Sequence, residues 1–126
     1  MTQVLGRVRV RRSAAAVRKT LTRRFDEAYA AWTEQDAVTS AMREDLDVGP
    51  GDEADVATRQ AQMNEQAVLA GAMRSHLDDL AVAIARYDGG TYGVCQGCQR
   101  SIPAARLDLF PAATRCVACQ ERQERR

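Results

Sequence analysis

The chain of 126 residues is poor in the side chains that build a deep core. Phe, Trp and Tyr together make only 5% of it, and 22 of its apolar residues are alanine. A compact enzyme with a large apolar pocket is therefore not expected. It holds a single histidine, His76, and three prolines. Few prolines and many Ala and Arg residues read as long helix. Nowhere do roughly 18 apolar residues follow one another, so no segment is expected to span a membrane. The N-terminus has arginines but no apolar stretch after them, so a secretory signal is not expected and a cytoplasmic location is.

The first 24 residues also lack any acid, while carrying eight basic groups. Residues 25–88 reverse this with fourteen acids and four arginines, and residues 89–126 hold six arginines and three acids. The net charge of +1 hides that segregation. A basic arm over residues 1–16 suits nucleic acid, an acidic protein surface, or simply water. The alternation Val8-Arg9-Val10-Arg11 is compatible with a short strand.

What is present is helical periodicity. Between Ala14 and Leu46 one seven-residue ladder is Phe25, Trp32, Thr39 and Leu46, and a second is Leu21, Ala28, Gln35 and Met42. Between Glu53 and Tyr87 the ladders are Val56, Met63, Ala70, Leu77, Ile84 and Arg59, Gln66, Met73, Leu80, Tyr87. This is the a/d pattern of a coiled-coil seam. Asp47-Val48-Gly49-Pro50-Gly51 interrupts it, and Gly89-Gly90 ends it. A connection that short makes the two helices antiparallel neighbours.

Folding about Gly51 brings the ladders together. Trp32 faces Ala70, Phe25 faces Leu77, Thr39 faces Met63 and Leu46 faces Val56. In the other row Leu21 faces Leu80, Ala28 faces Met73 and Gln35 faces Gln66. Large opposite small suits close packing. The two glutamines either form a polar layer that fixes register or point to water. At about 1.5 Å per residue each helix is about 45–50 Å long, so the object is a rod.

All four cysteines lie in the last third, as C-x2-C, seventeen residues, C-x2-C: Cys95, Cys98, Cys116 and Cys119. Two such knuckles offer four sulfurs to one tetrahedral zinc ion with Zn–S of about 2.3 Å. The 38 residues from Gly89 onward have little apolar material, so metal binding would supply much of their folding free energy. Two disulfides or a redox pair are the alternatives; a cytoplasmic chain without a strand–helix context around its CxxC fits neither well. Four protein ligands leave no open position, so one structural Zn2+ and no hydrolytic chemistry is expected. His76 reads as a helix-surface residue.

Between Glu44 and Asp55 stand six acids and no base: Glu44, Asp45, Asp47, Asp52, Glu53 and Asp55. Asp52 can N-cap the second helix, and Asp55 occupies the capping-box position three residues on. Glu44, Asp45 and Asp47 sit instead near a helix C-terminus, where negative charge is unfavourable. Capping does not explain them, and a cationic target does. The twelve-residue EF-hand pattern is not met.

The expected fold is thus all-α. It comprises an arm (1–16), an antiparallel coiled-coil hairpin (17–88) with its acidic tip at 44–57, and a four-cysteine zinc finger with a C-terminal helix (89–126). This arrangement resembles the DksA/TraR family of bacterial transcription regulators over roughly residues 17–121. The finger segment carries the likeness: Tyr92-Gly93-Val94-Cys95-Gln96-Gly97-Cys98, Ile102, Arg106-Leu107, Pro111 and Cys116-Val117-Ala118-Cys119. So does the tip, Asp52-Glu53-Ala54-Asp55-Val56-Ala57, which is similar to the family's DxxDxA motif.

The resemblance implies a non-enzymatic regulator that binds bacterial RNA polymerase rather than a promoter sequence. The hairpin would enter the secondary channel with Asp52, Asp55 and Ala57 as tip determinants, altering initiation. Departures exist. The N-terminal part is short and basic, and Gln99 follows Cys98 where a knuckle glycine is common. Positions that hold the alarmone guanosine tetraphosphate through basic residues match Ala72, Asp79 and Gln120, none of which is basic. Alarmone binding is therefore expected to be weak or absent. The alternatives are a zinc-stabilised coiled-coil adapter, a nucleic-acid-binding protein acting through the basic arm without reading sequence, and a redox switch at the zinc thiolates.

Overall fold

A computed structural model describes residues 14–46 and 51–126. The basic arm up to residue 13, the Val8–Arg11 alternation, Asp47 and the Val48-Gly49-Pro50 break lie outside the described residues. Two long helices dominate, α1 (Ala14–Leu46) and α2 (Glu53–Asp88), followed by α3 (Ala104–Leu109) and α4 (Val117–Glu124). Among the described residues the only strand-like pairing is an isolated antiparallel bridge between Val94 and Ser101.

α1 and α2 form an antiparallel pair whose seam follows the two ladders. On α1 the less exposed positions include Val17, Leu21, Phe25, Ala28, Trp32, Gln35, Thr39 and Met42; on α2 they include Met63, Gln66, Ala70, Met73, Leu77, Leu80 and Ile84. Gln35 donates through Nε2 to Gln66 Oε1, so the glutamines do form a layer inside the seam. Thr39 is buried one turn further on, its hydroxyl donating back to the Gln35 carbonyl at 3.0 Å. Trp32 lies under the Arg74 guanidinium, 5.2 Å from ring centroid to Cζ.

Packing is graded along the rod. At the open end of the hairpin, Leu21, Leu80 and Ala83 are essentially sealed from water, with Phe25, Ala28, Ile84 and Tyr87 around them. Burying a leucine stabilises by about 1.5–3 kcal/mol, so this cluster is the main apolar anchor. Arg18 clasps Asp88 there with two hydrogen bonds, at 2.9 and 3.1 Å. Towards the tip the seam opens. Val56 keeps 46% of its surface exposed and Arg59 is exposed, although both continue the ladders in sequence. The side chain of Leu46, the expected partner of Val56, lies outside the described residues.

α2 ends at two glycines of different kinds. Gly89 is right-handed and donates to Ala85 O at 2.9 Å, whereas Gly90 holds the left-handed position at φ +80°. The reversed chain then bonds back, with Thr91 and Tyr92 both donating to Arg86 O. Tyr92 and Ala112 of the finger pack on the Leu21/Leu80/Ala83 cluster, and Tyr92 meets Tyr87 edge-on at 6.0 Å. The finger is thereby seated on the base of the hairpin, opposite the tip.

Candidate metal centre and acidic tip

The two cysteine pairs are brought together by local turns. Cys95 N–H donates to Arg100 O and Gln99 N–H to Cys95 O, closing the first knuckle. Gln99 takes φ +62°, the left-handed conformation that glycine usually supplies. The knuckle keeps its shape, at a cost of about 1–2 kcal/mol for a residue with a Cβ. The second knuckle is the start of α4, with Cys116 at its N-cap and Cys119 in its first turn. Gly97 sits where the knuckles meet. A Cβ there would lie 2.8 Å from Cys119 Sγ and 2.9 Å from Cys119 Cβ, so only glycine fits.

The four sulfurs all lie within 4.8 Å of one another. Cys116 Sγ is 3.8 Å from Cys95 Sγ and 3.9 Å from Cys98 Sγ. A tetrahedron with Zn–S bonds of about 2.3 Å has edges of about 3.8 Å, so the donor set fits zinc. The backbone N–H groups of Gly97 and Cys116 each approach Cys95 Sγ at 3.3 Å. The Cys116 N–H is the chief reason the Cys95 thiol is pulled down to about 6 from its ordinary 9.0, against the opposing effect of burial. Cys119 is pushed up to about 12, first by its contact with Cys116 and then by Cys95 and burial. Thiols crowded this closely cannot all ionise without a cation among them, and a bound zinc ion supplies that charge. Cys95 and Cys119 are buried while Cys98 lies at the surface. Bound zinc would act as a structural clamp, since all four ligand positions are filled by protein.

The rest of the finger is secured around this centre. Ile102 is buried against Cys95 and Cys119, with Leu107 behind it. Tyr92 Oη donates to Pro111 O at 2.8 Å, and Arg106 Nε donates to Arg115 O at 2.9 Å. Arg86 reaches from the last turn of α2 to the carbonyls of Thr91 and Val94. Sequence reasoning missed Arg86 and the six-residue α3 between the knuckles, and it gave Gly97 a place in the finger motif but no packing role. Pro103 followed by Ala104-Ala105 is the available signal for α3, since proline fits a helix start. The reach of Arg86 has no local signal.

At the other end of the rod, Asp52 is the N-cap of α2, in an extended conformation with φ −67° and ψ 163°. Its Oδ1 accepts from Asp55 N–H at 2.8 Å. Asp52, Glu53, Asp55 and Ala57 are all exposed, as are Glu44 and Asp45 at the end of α1. His76 is exposed on α2 and lines a cleft of about 780 Å3 between the hairpin and the finger. Asp79, Gln120, Arg24 and Phe110 line the same cleft. Ala72 is an exposed position elsewhere on α2.

An antiparallel helical hairpin bearing a C4 zinc finger at its base defines the class of this protein. Residues 90–125 match the model of the prokaryotic dksA/traR C4-type zinc finger. The solved structure of transcription factor DksA2 from Pseudomonas aeruginosa superposes with a TM-score of 0.73 at 32% identity, covering 89% of this chain and 83% of that one. The RNA polymerase-binding transcription factor DksA of Caulobacter vibrioides is 34% identical over 76 residues, 58% of this chain. Protein TraR of Escherichia coli is 50% identical over 32 residues, 25% of this chain. The chain belongs to the DksA/TraR family. It spans about half the length of these curated relatives, 54% of DksA and 44% of TraR. Among the described residues no helix is long and apolar enough to cross a membrane.

Proposed function

We propose that this protein is a non-enzymatic regulator of transcription that binds bacterial RNA polymerase in the cytoplasm. The hairpin enters the secondary channel, and Asp52, Asp55 and Ala57 at its tip modulate initiation near the catalytic centre. The observation that carries this reading is the arrangement itself. A two-helix rod presents exposed carboxylates at one end, and a clamped finger widens the other. A narrow rod can pass a pore, and a negative end is drawn to a basic lining that holds Mg2+. The name of the Caulobacter relative supports the choice of partner.

Alarmone control through the finger half of α2 is weak or absent in this reading. Ala72 and Asp79 on α2 and Gln120 beside the last cysteine offer no cation, and Asp79 adds a negative charge. The same holds for duplex sequence recognition, because Cys116 to Arg126 mixes acids with arginines.

The test is in vitro transcription with purified bacterial polymerase and a pull-down of that polymerase. Asp52→Asn combined with Asp55→Asn removes two charges while keeping an N-cap, since Asn caps as well as Asp. The double variant is expected to pull down polymerase and to lose the effect on initiation. A wild-type protein that neither binds polymerase nor changes transcription at any promoter tested would refute the proposal.

A further inference from the structure

The charge segregation seen in the sequence becomes a spatial one. α1 starts and α2 ends at the base, where the finger packs on both. The base therefore gathers the first turns of α1, the last turns of α2 and the whole finger. Residues 14–24 and 77–126 hold eleven basic groups and six acids, whereas residues 25–76 hold eleven acids and three arginines. The rod is cationic at one end and anionic over the rest.

Much of that positive charge is uncommitted. Arg18 is paired with Asp88 and Arg23 with Glu27. Among the described residues Lys19, Arg24, Arg100, Arg122, Arg125 and Arg126 have no ion-pair partner, and all six are exposed. Arg24 lines one cleft together with Gln120, Gln123 and Glu124 of α4, so the start of α1 and the C-terminal helix share one end of the molecule.

We propose that this base is a second interaction surface, one that docks the phosphate backbone of duplex nucleic acid without reading its sequence. Three observations suit a phosphate backbone. Seventeen of the eighteen basic residues are arginine, and a guanidinium fork matches phosphate oxygens in pairs. The cations are spread over separate elements, which suits an extended line of charge. The acidic remainder of the rod repels a polyanion and directs it to the base. The surface is distinct from the tip, so it operates whether or not the tip engages polymerase.

Counterion release gives the proposal a measurable signature. Four phosphate contacts predict a slope of about −3.6 in log K against log salt, a loss of about a hundred-fold between about 50 and about 200 mM. The experiment is fluorescence anisotropy of labelled duplex DNA titrated with the full chain, using two unrelated sequences. Equal binding of both, with that salt loss, is expected. Lys19→Gln with Arg24→Gln is expected to reduce the slope by about 2, and Arg122→Gln with Arg125→Gln to do the same. Both pairs are exposed, and unchanged helicity by circular dichroism confirms folding. Asp52→Asn with Asp55→Asn is expected to leave DNA binding intact.

Several results would overturn it: no binding near 50 mM salt, binding that salt does not weaken, or base variants that bind like wild type. So would competition by poly-glutamate as effective as unlabelled duplex, which would assign the surface to acidic protein. Salt-sensitive self-association in place of DNA binding would assign it to the tip of a second copy.

Discussion

Gly97→Ala tests how the metal centre is built. The added methyl would lie 2.8 Å from Cys119 Sγ and 2.9 Å from Cys119 Cβ, where carbon atoms rest comfortably at about 3.5–4.0 Å. Neither atom can retreat cheaply. Cys119 is buried in the first turn of α4, and its sulfur is one of four that must share a cation. Forcing a methyl into so filled a space costs about 1–3 kcal/mol. Since each 1.4 kcal/mol is about tenfold, zinc affinity should fall by about 5- to 150-fold. The assay is competition for zinc against a chromophoric chelator. Gly71→Ala is the internal control: it lies within α2 and a Cβ there meets nothing within 4 Å. That variant should leave zinc affinity unchanged and raise hairpin stability by about 0.5–1 kcal/mol, as alanine does in a helix interior. A Gly97→Ala protein that binds zinc within about twofold of wild type would refute the packing argument.

Other perturbations have equally definite outcomes. Arg86→Leu removes the guanidinium contacts to the Thr91 and Val94 carbonyls and should destabilise the zinc-loaded protein by about 2 kcal/mol in urea unfolding. Gln35→Leu alone strands the half-buried Gln66 amide and should cost about 1 kcal/mol. Gln35→Leu with Gln66→Leu should recover that loss or better, and a double-mutant cycle reads the coupling. In metal-free protein, the Cys95 thiol held near 6 contributes stability present above its ordinary 9.0 and lost as pH falls through about 6. Cys119, raised to about 12, contributes stability present below 9.0 and lost as pH rises through about 12. Metal-free stability should therefore climb between about pH 6 and 9, read by thermal unfolding. In the loaded protein, protons compete for the sulfurs, and zinc release on acidification should be visible to a zinc-sensitive dye.

The hairpin was legible because its signal is periodic and repeated. The ladders place Leu21, Trp32, Gln35, Leu77 and Leu80 on the seam, and the Gln35–Gln66 bond meets the register proposed by folding about Gly51. The cap at Asp52 and the unusual turn at Gln99 were legible too, because each depends on residues within five positions. Reading failed where a residue acts across the fold. Arg86 lies on a helix like any other arginine, yet its work is done on the finger. Gly97 is demanded by the second knuckle, twenty-two residues away in sequence, and not by its own backbone angles. Val56 and Arg59 obey the heptad but stay exposed. A period specifies which face a residue joins, not whether enough partner surface remains near a helix end to cover it.

The graded packing bears on how the two ends divide their labour. Near-complete burial sits at Leu21, Leu80 and Ala83 under the finger, with a second cluster at Cys95, Ile102 and Cys119. The finger thus stabilises the hairpin where the hairpin is already strongest, through Tyr92, Ala112 and Arg86. Glu44, Asp45, Asp52, Glu53 and Asp55 lie towards the opposite end, where Val56 and Arg59 offer little apolar cover. Like charges there repel, and the C-terminal dipole of α1 adds to the cost for Glu44 and Asp45. Placing that cost far from the core leaves the fold anchored by its base. Asp52 then carries two roles at one position, holding the first turn of α2 through Asp55 N–H and contributing charge to the tip. Asparagine at position 52 separates those roles, because it keeps the cap and discards the charge.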